Sequence, residues 1–222
     1  MGSEMCIRDS IWRRLGFGGS GLGYNPLNDS LFIGGHTWYK RLCEISVPEP
    51  VIASDYSELP EAVLLQNCTD VTEGNLSEAA DDASIAGSLV YHNRLIVSAF
   101  SYYDANCNQK LTHGASGLNL SVKGDFTGFF GFENVTSNPR GLAGYMTEIP
   151  EEWQEFFGGP ALTGNGGGSI ISCASEGPAA TVFNPDDVGR KNLTGTTLTF
   201  YPTGTASDLF SWEAETDISG VA

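Results

Sequence analysis

Glycine, a short apolar strand, a tight polar turn and a stronger apolar strand follow one another twice in this chain. The first run is Gly21 to His36 (GLGYNPLNDSLFIGGH) and the second is Gly87 to Asp104 (GSLVYHNRLIVSAFSYYD). Each leads into a cluster of aromatic and polar side chains: His36-Thr37-Trp38-Tyr39 after the first, Tyr102-Tyr103-Asp104 at the close of the second. A two-stranded unit that returns at long spacing is the mark of a repeat architecture, in which each unit buries its apolar face against its neighbours.

The rest of the chain reads as short strands broken by turns. Asn25-Pro26-Leu27-Asn28-Asp29 carries turn-forming residues, Leu31-Phe32-Ile33 reads as a buried strand, and Leu42 to Val47 alternates as the next one until Pro48 and Pro50. Tyr91 to Arg94 forms the second hairpin's turn, and Leu95 to Phe100 is the strongest strand signal. Asp104 to Asn108 is a further turn, Lys110 to His113 starts a return strand, and Gly128 to Phe132 is an aromatic edge strand. One helix is expected over 150–157, with Pro150 at its first turn, Glu151 and Glu152 near its N-terminus and Gly158-Gly159 as its stop. A weaker third hairpin pairs Ser169 to Ser175 with Ala179 to Phe183, and Thr196 to Tyr201 adds a strand. Residues 66–86 are rich in acids and poor in apolar side chains, so they are expected to loop over the surface.

Composition agrees with turn-rich β structure: 28 glycines, 11% aromatic and only 17% charged residues. The net charge of −16 repels phosphate backbones, so neither nucleic acid nor an anionic membrane is an expected partner. No apolar run approaches the ~18 residues of a membrane span. Outside Cys6, the cysteines are Cys43, Cys68, Cys107 and Cys173, with no C-x-x-C spacing, and three disulfide pairings stay open. Six Asn-x-Ser/Thr triplets, at Asn28, Asn67, Asn75, Asn119, Asn134 and Asn192, exceed the roughly two that composition alone gives. Even cysteines and excess triplets together point to a secreted, oxidising route.

The glycine–apolar–turn–apolar pattern over residues 17–222 resembles secreted bacterial-type β-propeller proteins with irregular blades, many of them without assigned function. Unit starts near Gly21, Gly87, Ser169 and Ser219 then imply an all-β propeller with parts of three or four blades and one short helix. A β-sandwich is the alternative; it accounts for the strands but not for the returning glycine. Glu4 to Ser10 (EMCIRDS) resembles a translation of the transposase adaptor used in sequencing libraries. Residues 1–14 are therefore expected to be a non-native leader or linker, and residues 15–222 an incomplete propeller-like domain. Asp217 to Ala222 restarts the Ser-Gly-apolar pattern, which an interior fragment would do.

Propeller geometry implies that the second strand of each hairpin ends beside the central channel, on the face where such proteins bind small molecules. The candidate ligand-binding residues are therefore His36, Trp38, Tyr39, Tyr103 and Asp104, with Thr37 beside them. Rings that stack, together with a carboxylate and an imidazole that orient, suit sugars and other polar rings. The plain alternative is that Trp38 and Tyr39 cap layers between blades while Asp104 bonds its own turn. The expected role is a binding or scaffold module for an extracellular carbohydrate, small molecule or protein. The competing role is a polysaccharide hydrolase or lyase, which needs paired carboxylates roughly 5–10 Å apart. Five-bladed glycosidases carry them on inner strands, and Gly21–Tyr24 and Ser88–Tyr91 contain none. His113 reads as a strand surface residue and His92 as an exposed turn residue. No cofactor and no metal site is expected. Gly16 to Gly21 fits G-x-G-x-x-G in letters but lacks the strand before and the helix after it, and Asp70 to Asp82 lacks the spacing of a calcium loop.

Overall fold

The computed structural model describes residues 21–36, 38–104, 106–135, 139–165 and 178–200. The chain is all-β in these parts, with three sheets and two short α-helices, Pro139–Leu142 and Glu151–Phe157. The first sheet is a meander of β1 (Leu22–Asn25), β2 (Ser30–Gly34), β3 (Leu42–Ser46) and β4 (Leu64–Thr69). The second repeats the plan with β5 (Ser84–Tyr91), β6 (Arg94–Phe100), β7 (His113–Gly117) and β8 (Thr127–Phe130). The third is built from β10 (Tyr145–Glu148), β11 (Ala161–Asn165), β12 (Ala179–Phe183) and β13 (Leu193–Phe200). Pairing within all three meanders is antiparallel; the short β9 (Phe132–Glu133) joins the edge of the third sheet in parallel with β13.

Glycine explains how the sheets meet. The first strands pack on one another in chain order, β1 on β5 and β5 on β10. A Cβ on Gly23 would sit 2.7 Å from the Ser88 carbonyl oxygen, and one on Gly87 would sit 1.9 Å from that of Gly144. Backbones approach this closely only where no side chain intervenes. Gly87, which opens the second run, is thus a contact point between sheets, whereas in the first run the backbone contact is made by Gly23 and not by the opening Gly21. The Ser98 hydroxyl ties the second seam by donating to the Gly144 carbonyl at 2.8 Å.

Two apolar cores fill the two seams. Phe32, Val90, Leu95, Val97 and Phe129 lie in the first, between the first and second sheets. Leu89, Ile96, Met146, Phe183 and Leu193 lie in the second, between the second and third. Side chains of β5 and β6 alternate between the two cores, the strand period of two read from both sides of one sheet. At both seams a side chain also reaches the third-to-fourth-strand connection of the following sheet, though from different strands. Gln66 of the first sheet bonds the β7–β8 connection of the second, through its amide to Leu118 O at 2.9 Å and from Leu120 N–H at 2.8 Å. Arg94 and His92 of the second sheet bond the β12–β13 connection of the third, at Val188 O (2.6 Å) and Asp186 (3.0 Å).

Several expectations change. The expected strand Ser169 to Ser175 lies outside the described residues, and its expected partner, Ala179 to Phe183, is β12, the third strand of a sheet whose first strand begins at Tyr145. First strands start at Leu22, Ser84 and Tyr145, spacings of 62 and 61 residues. Residues 66–86 are no surface excursion: Gln66 to Thr69 belong to β4, and Val71, Leu76, Ala79 and Ala83 are buried in the first core. Asp70 caps a turn of that segment, accepting from Thr72 N–H and Gly74 N–H, and Glu73 accepts from Gly124 N–H in the β7–β8 connection. The return strand starts at His113 rather than Lys110, and His113 is fully buried instead of facing solvent. The helix forms over Glu151–Phe157 and ends at Gly158, whose φ of +80° places it in the left-handed region. Residues 1–20 and the Ser219 start lie outside the described residues.

A disulfide joins Cys43 to Cys68 across β3 and β4, and Cys107 is disulfide-bonded as well. Closing the 25-residue loop between Cys43 and Cys68 stabilises the fold by about 3.5 kcal/mol in the chain-entropy treatment. Among the described residues no helix is long and apolar enough to cross a membrane.

Candidate functional site

The connection from β2 to β3 is short and closes on itself. Gly35 N–H donates to Arg41 O at 2.6 Å, and both Tyr39 N–H (2.9 Å) and Lys40 N–H (3.2 Å) donate to His36 O. The His36 ring stands over this turn and accepts the Trp38 N–H at Nδ1, 3.1 Å away. Its ring centre lies 5.3 Å from that of Trp38 and 5.4 Å from that of Tyr39, and the Arg41 guanidinium lies 5.9 Å from the Tyr39 ring. The turn therefore brings His36, Trp38 and Tyr39 together, with Trp38 84% exposed. Thr37 lies outside the described residues.

The corresponding connection in the second sheet, from β6 to β7, holds Tyr103 and Asp104. Tyr103 is 66% exposed and packs edge-on against Tyr102 at 5.1 Å. Asp104 folds its own loop, accepting Asn108 N–H at 2.7 Å and Gln109 N–H at 2.9 Å. The loop is held from beneath by the buried Gln109, which accepts Ser101 N–H and donates to Ala99 O and Leu111 O. Asp82, from the segment that links the first two sheets, accepts the Ser101 hydroxyl and the Tyr103 N–H. Asp81, Asp82, Ser101, Tyr103, Asp104 and Asn108 surround a cavity of about 270 Å³. Sequence reasoning missed Asp82 and Gln109, whose partners lie 19 and 8 residues away.

The five candidates thus fall into two groups, one on each of two equivalent connections. Trp38 and Tyr103 are exposed and belong to neither of the two apolar cores. Asp104 meets the plain expectation of a turn cap, and both of its carboxylate oxygens are occupied by backbone donors.

Two buried ionisable groups lie elsewhere, on third strands. Glu44 stands opposite Phe32, which stands opposite Gly23; His113 stands opposite Ser98, which stands opposite Gly87. They occupy the same rung of consecutive sheets. Glu44 accepts from Asn25 Nδ2 (2.9 Å), Asn28 Nδ2 (3.2 Å), the Ser30 hydroxyl and Gln66 Nε2. Burial pushes its carboxyl up, but the four donors from Ser30, Gln66, Asn25 and Asn28 outweigh it and hold the group below the usual carboxylate range. Glu44 borders a 620 Å³ cleft with Asn28, Leu65, Gln66, Leu118 and Asn119. Saturated with donors, it is a structural anion rather than an acid or base.

His113 sits between Thr112 and Thr163, at 2.9 and 3.0 Å, and against the Phe132 and Phe183 rings. The Thr163 hydroxyl donates to Leu142 O at 2.6 Å, so it accepts from His113 Nε2–H, and Nδ1 takes the Thr112 proton. Burial pushes the imidazole down to about 3, and it is neutral at any ordinary pH. His92 is exposed in its turn, as expected, with Asp186 as its partner.

Among the described residues no three His, Cys, Asp or Glu side chains approach closely enough to hold a metal ion. No protein-family model, curated protein or solved structure matches the chain.

Proposed function

We propose that the three sheets are consecutive blades of a β-propeller, and that the chain is a secreted binding module whose rim takes a glycan or similar polar-ring ligand. One observation carries the proposal: His36, Trp38 and Tyr39 occupy the second-to-third-strand connection of one sheet, and Tyr103 and Asp104 occupy that of the next. In meanders turned about shared first strands, those connections stand at the same end. Three further features support the blade reading: first strands packed in succession, near-equal spacings of 62 and 61 residues, and, at both seams, a side chain that reaches the third-to-fourth-strand connection of the following sheet. A sandwich closes two sheets over one core, whereas here two cores separate three sheets in series. The Cys43–Cys68 bond supports an oxidising compartment.

Exposed rings at Trp38 and Tyr103 favour stacking on sugar faces, and a purely structural array would bury them. The hydrolase reading has one observation in its favour, that Asp81, Asp82 and Asp104 border a common cavity. The turn donors already held by Asp82 and Asp104 weigh against it. The test is a glycan array followed by calorimetry on the best binder. Trp38→Ala and Tyr103→Ala each weaken binding about tenfold with an unchanged melting temperature, the ~1–1.5 kcal/mol of one stacking ring. A parent that binds no glycan, or variants that bind as well as the parent, would sink the rim site. Release of reducing ends by the parent would move the chain to the hydrolase class.

A further inference from the structure

We propose that Asn119 carries an N-linked glycan, attached as the chain enters a secretory lumen; the inference rests on the secreted reading and adds a modification site to it. The acceptor is the triplet Asn119-Leu120-Ser121, in the connection between β7 and β8. Leu120 is buried in the first core, and its N–H donates to Gln66 Oε1, which pins the triplet against β4. Asn119 and Ser121, on either side of it, are exposed. A turn fixes their side chains: Val122 N–H donates to Asn119 O at 3.1 Å, and Asn119 Oδ1 accepts the Ser121 N–H at 3.0 Å and the Ser121 hydroxyl at 2.6 Å. The carboxamide is thus held by its oxygen. Its Nδ2, the atom a glycan takes, has no hydrogen-bond partner among the described residues. The triplet stands beside the first seam, with β4 on one side and Glu73, bonded to Gly124, on the other. Its exposure is therefore set by the first two sheets and not by whatever adjoins the series at either end.

The other triplets differ at this nitrogen. Asn28 Nδ2 donates to Glu44 Oε1 at 3.2 Å, Asn75 Nδ2 to Thr72 O at 2.9 Å and Asn192 Nδ2 to Glu133 Oε1 at 2.6 Å. A sugar on Asn28 would crowd the donors around the buried Glu44 carboxylate, and Asn75 is itself half-buried beside Leu76 of the first core. Asn67 adjoins Cys68 of the disulfide, and the triplet of Asn134 runs to Thr136, outside the described residues. Asn119 instead borders the 620 Å³ cleft, where Leu65 and Leu118 offer an apolar floor to the first sugar ring. Transfer acts on the unfolded chain, so the fold decides which acceptors can keep what they receive. The step needs one co-reactant, an oligosaccharide on a lipid diphosphate. Asn119 Nδ2 bonds to the anomeric carbon, the bond from that carbon to the diphosphate oxygen breaks, the amide proton passes to a base of the transferring enzyme, and the lipid diphosphate leaves.

The test expresses the whole 222-residue chain behind a cleavable signal peptide in a eukaryotic secretory cell. Lumenal and released protein are each treated with peptide N-glycosidase in heavy-oxygen water, and their peptides are weighed. The expected result is a heavy label at Asn119 in most molecules, with Asn28 and Asn75 unlabelled. Ser121→Ala, an exposed change outside both cores, is expected to remove one glycan from the intact mass, and Ser121→Thr to keep it. An unlabelled Asn119 in both pools overturns the proposal. So does a label there that survives Ser121→Ala, or equal labelling of Asn28 and Asn75. The thiols of the same protein separate this failure from failure of the secreted reading. An intact Cys43–Cys68 bond beside an unlabelled Asn119 sinks the glycan alone, whereas free thiols at Cys43 and Cys68 in lumenal protein with Asn119 unlabelled sink both.

Discussion

Acidifying the protein tests the buried imidazole of His113 directly. In the unfolded chain a histidine takes a proton near pH 6.5, whereas in the fold burial holds it back until about 3. The folded value is depressed, so the unfolded state binds the extra proton first. Stability is complete above 6.5 and falls as the pH drops through the window from 6.5 to 3. At about 1.36 kcal/mol for each pH unit, the loss between pH 7 and pH 5 is about 2 kcal/mol, and over the whole window it approaches 5 kcal/mol. Urea unfolding at pH 7, 6 and 5 reads the effect; with a slope of about 2.5 kcal/mol/M the midpoint falls by about 0.8 M by pH 5.

Other groups also titrate over this range, so the decisive comparison is with His113→Phe. The substitution keeps a ring between Phe132 and Phe183, leaves the Thr163 hydroxyl its bond to Leu142 O, and removes the proton site. It costs about 1–2 kcal/mol at pH 7 through the lost Thr163 and Thr112 contacts. Its midpoint, however, falls by about 0.8 M less than the parent's between pH 7 and pH 5. Parallel pH profiles for the two proteins would refute the argument that burial keeps the His113 imidazole neutral.

Gly87→Ala places a methyl group 1.9 Å from the Gly144 carbonyl oxygen and is expected to cost about 3 kcal/mol or more, read by urea midpoint or by loss of soluble protein. Gly74→Ala is the control, with φ of +88° but nothing within 4 Å of the new atom, and costs about 1 kcal/mol; equal effects would deny the close approach of β5 and β10. Glu44→Gln replaces one accepting oxygen with a nitrogen that faces the Asn25, Asn28, Ser30 or Gln66 donors, and costs about 2–4 kcal/mol at pH 7. Because the folded carboxyl titrates below the ordinary value, the parent's advantage holds above that value and disappears as the pH falls through the folded one.

How much of this was legible follows from where each signal lives along the chain. The first two units were visible because their paired strands are separated by four residues and by two, so glycine, turn and apolar run sit in one short window. The third was misplaced because β10 and β11 are joined through a helix, and no turn marks them as partners. Its glycine, Gly144, precedes the strand instead of lying within it. The acidic stretch before β5 misled for a different reason: its four buried side chains, Val71, Leu76, Ala79 and Ala83, are spaced for a compact turn rather than for a strand or long helix. Trp38 and Tyr103 were recognisable, as exposed residues, because each follows its own strand. Asp82 and Gln109 were not, since what they hold is the backbone of another segment.

Glu44 and His113 show most clearly what the chain order cannot carry. Both stand on third strands, on the same rung as a glycine two strands away that touches the next sheet, so strand register fixes where each side chain goes. What it finds there differs. Toward the second sheet, Asn25, Asn28, Ser30 and Gln66 converge as donors, and an anion is the group that satisfies them. Toward the third, two hydroxyls and two phenyl rings converge, and only an uncharged group with one donor and one acceptor fits. Exchanging the two residues would bury an imidazole among donors and a carboxylate among rings, and each would leave polar atoms unpaired. Position on this rung is a property of strand register; charge on it is set by residues up to 50 positions away.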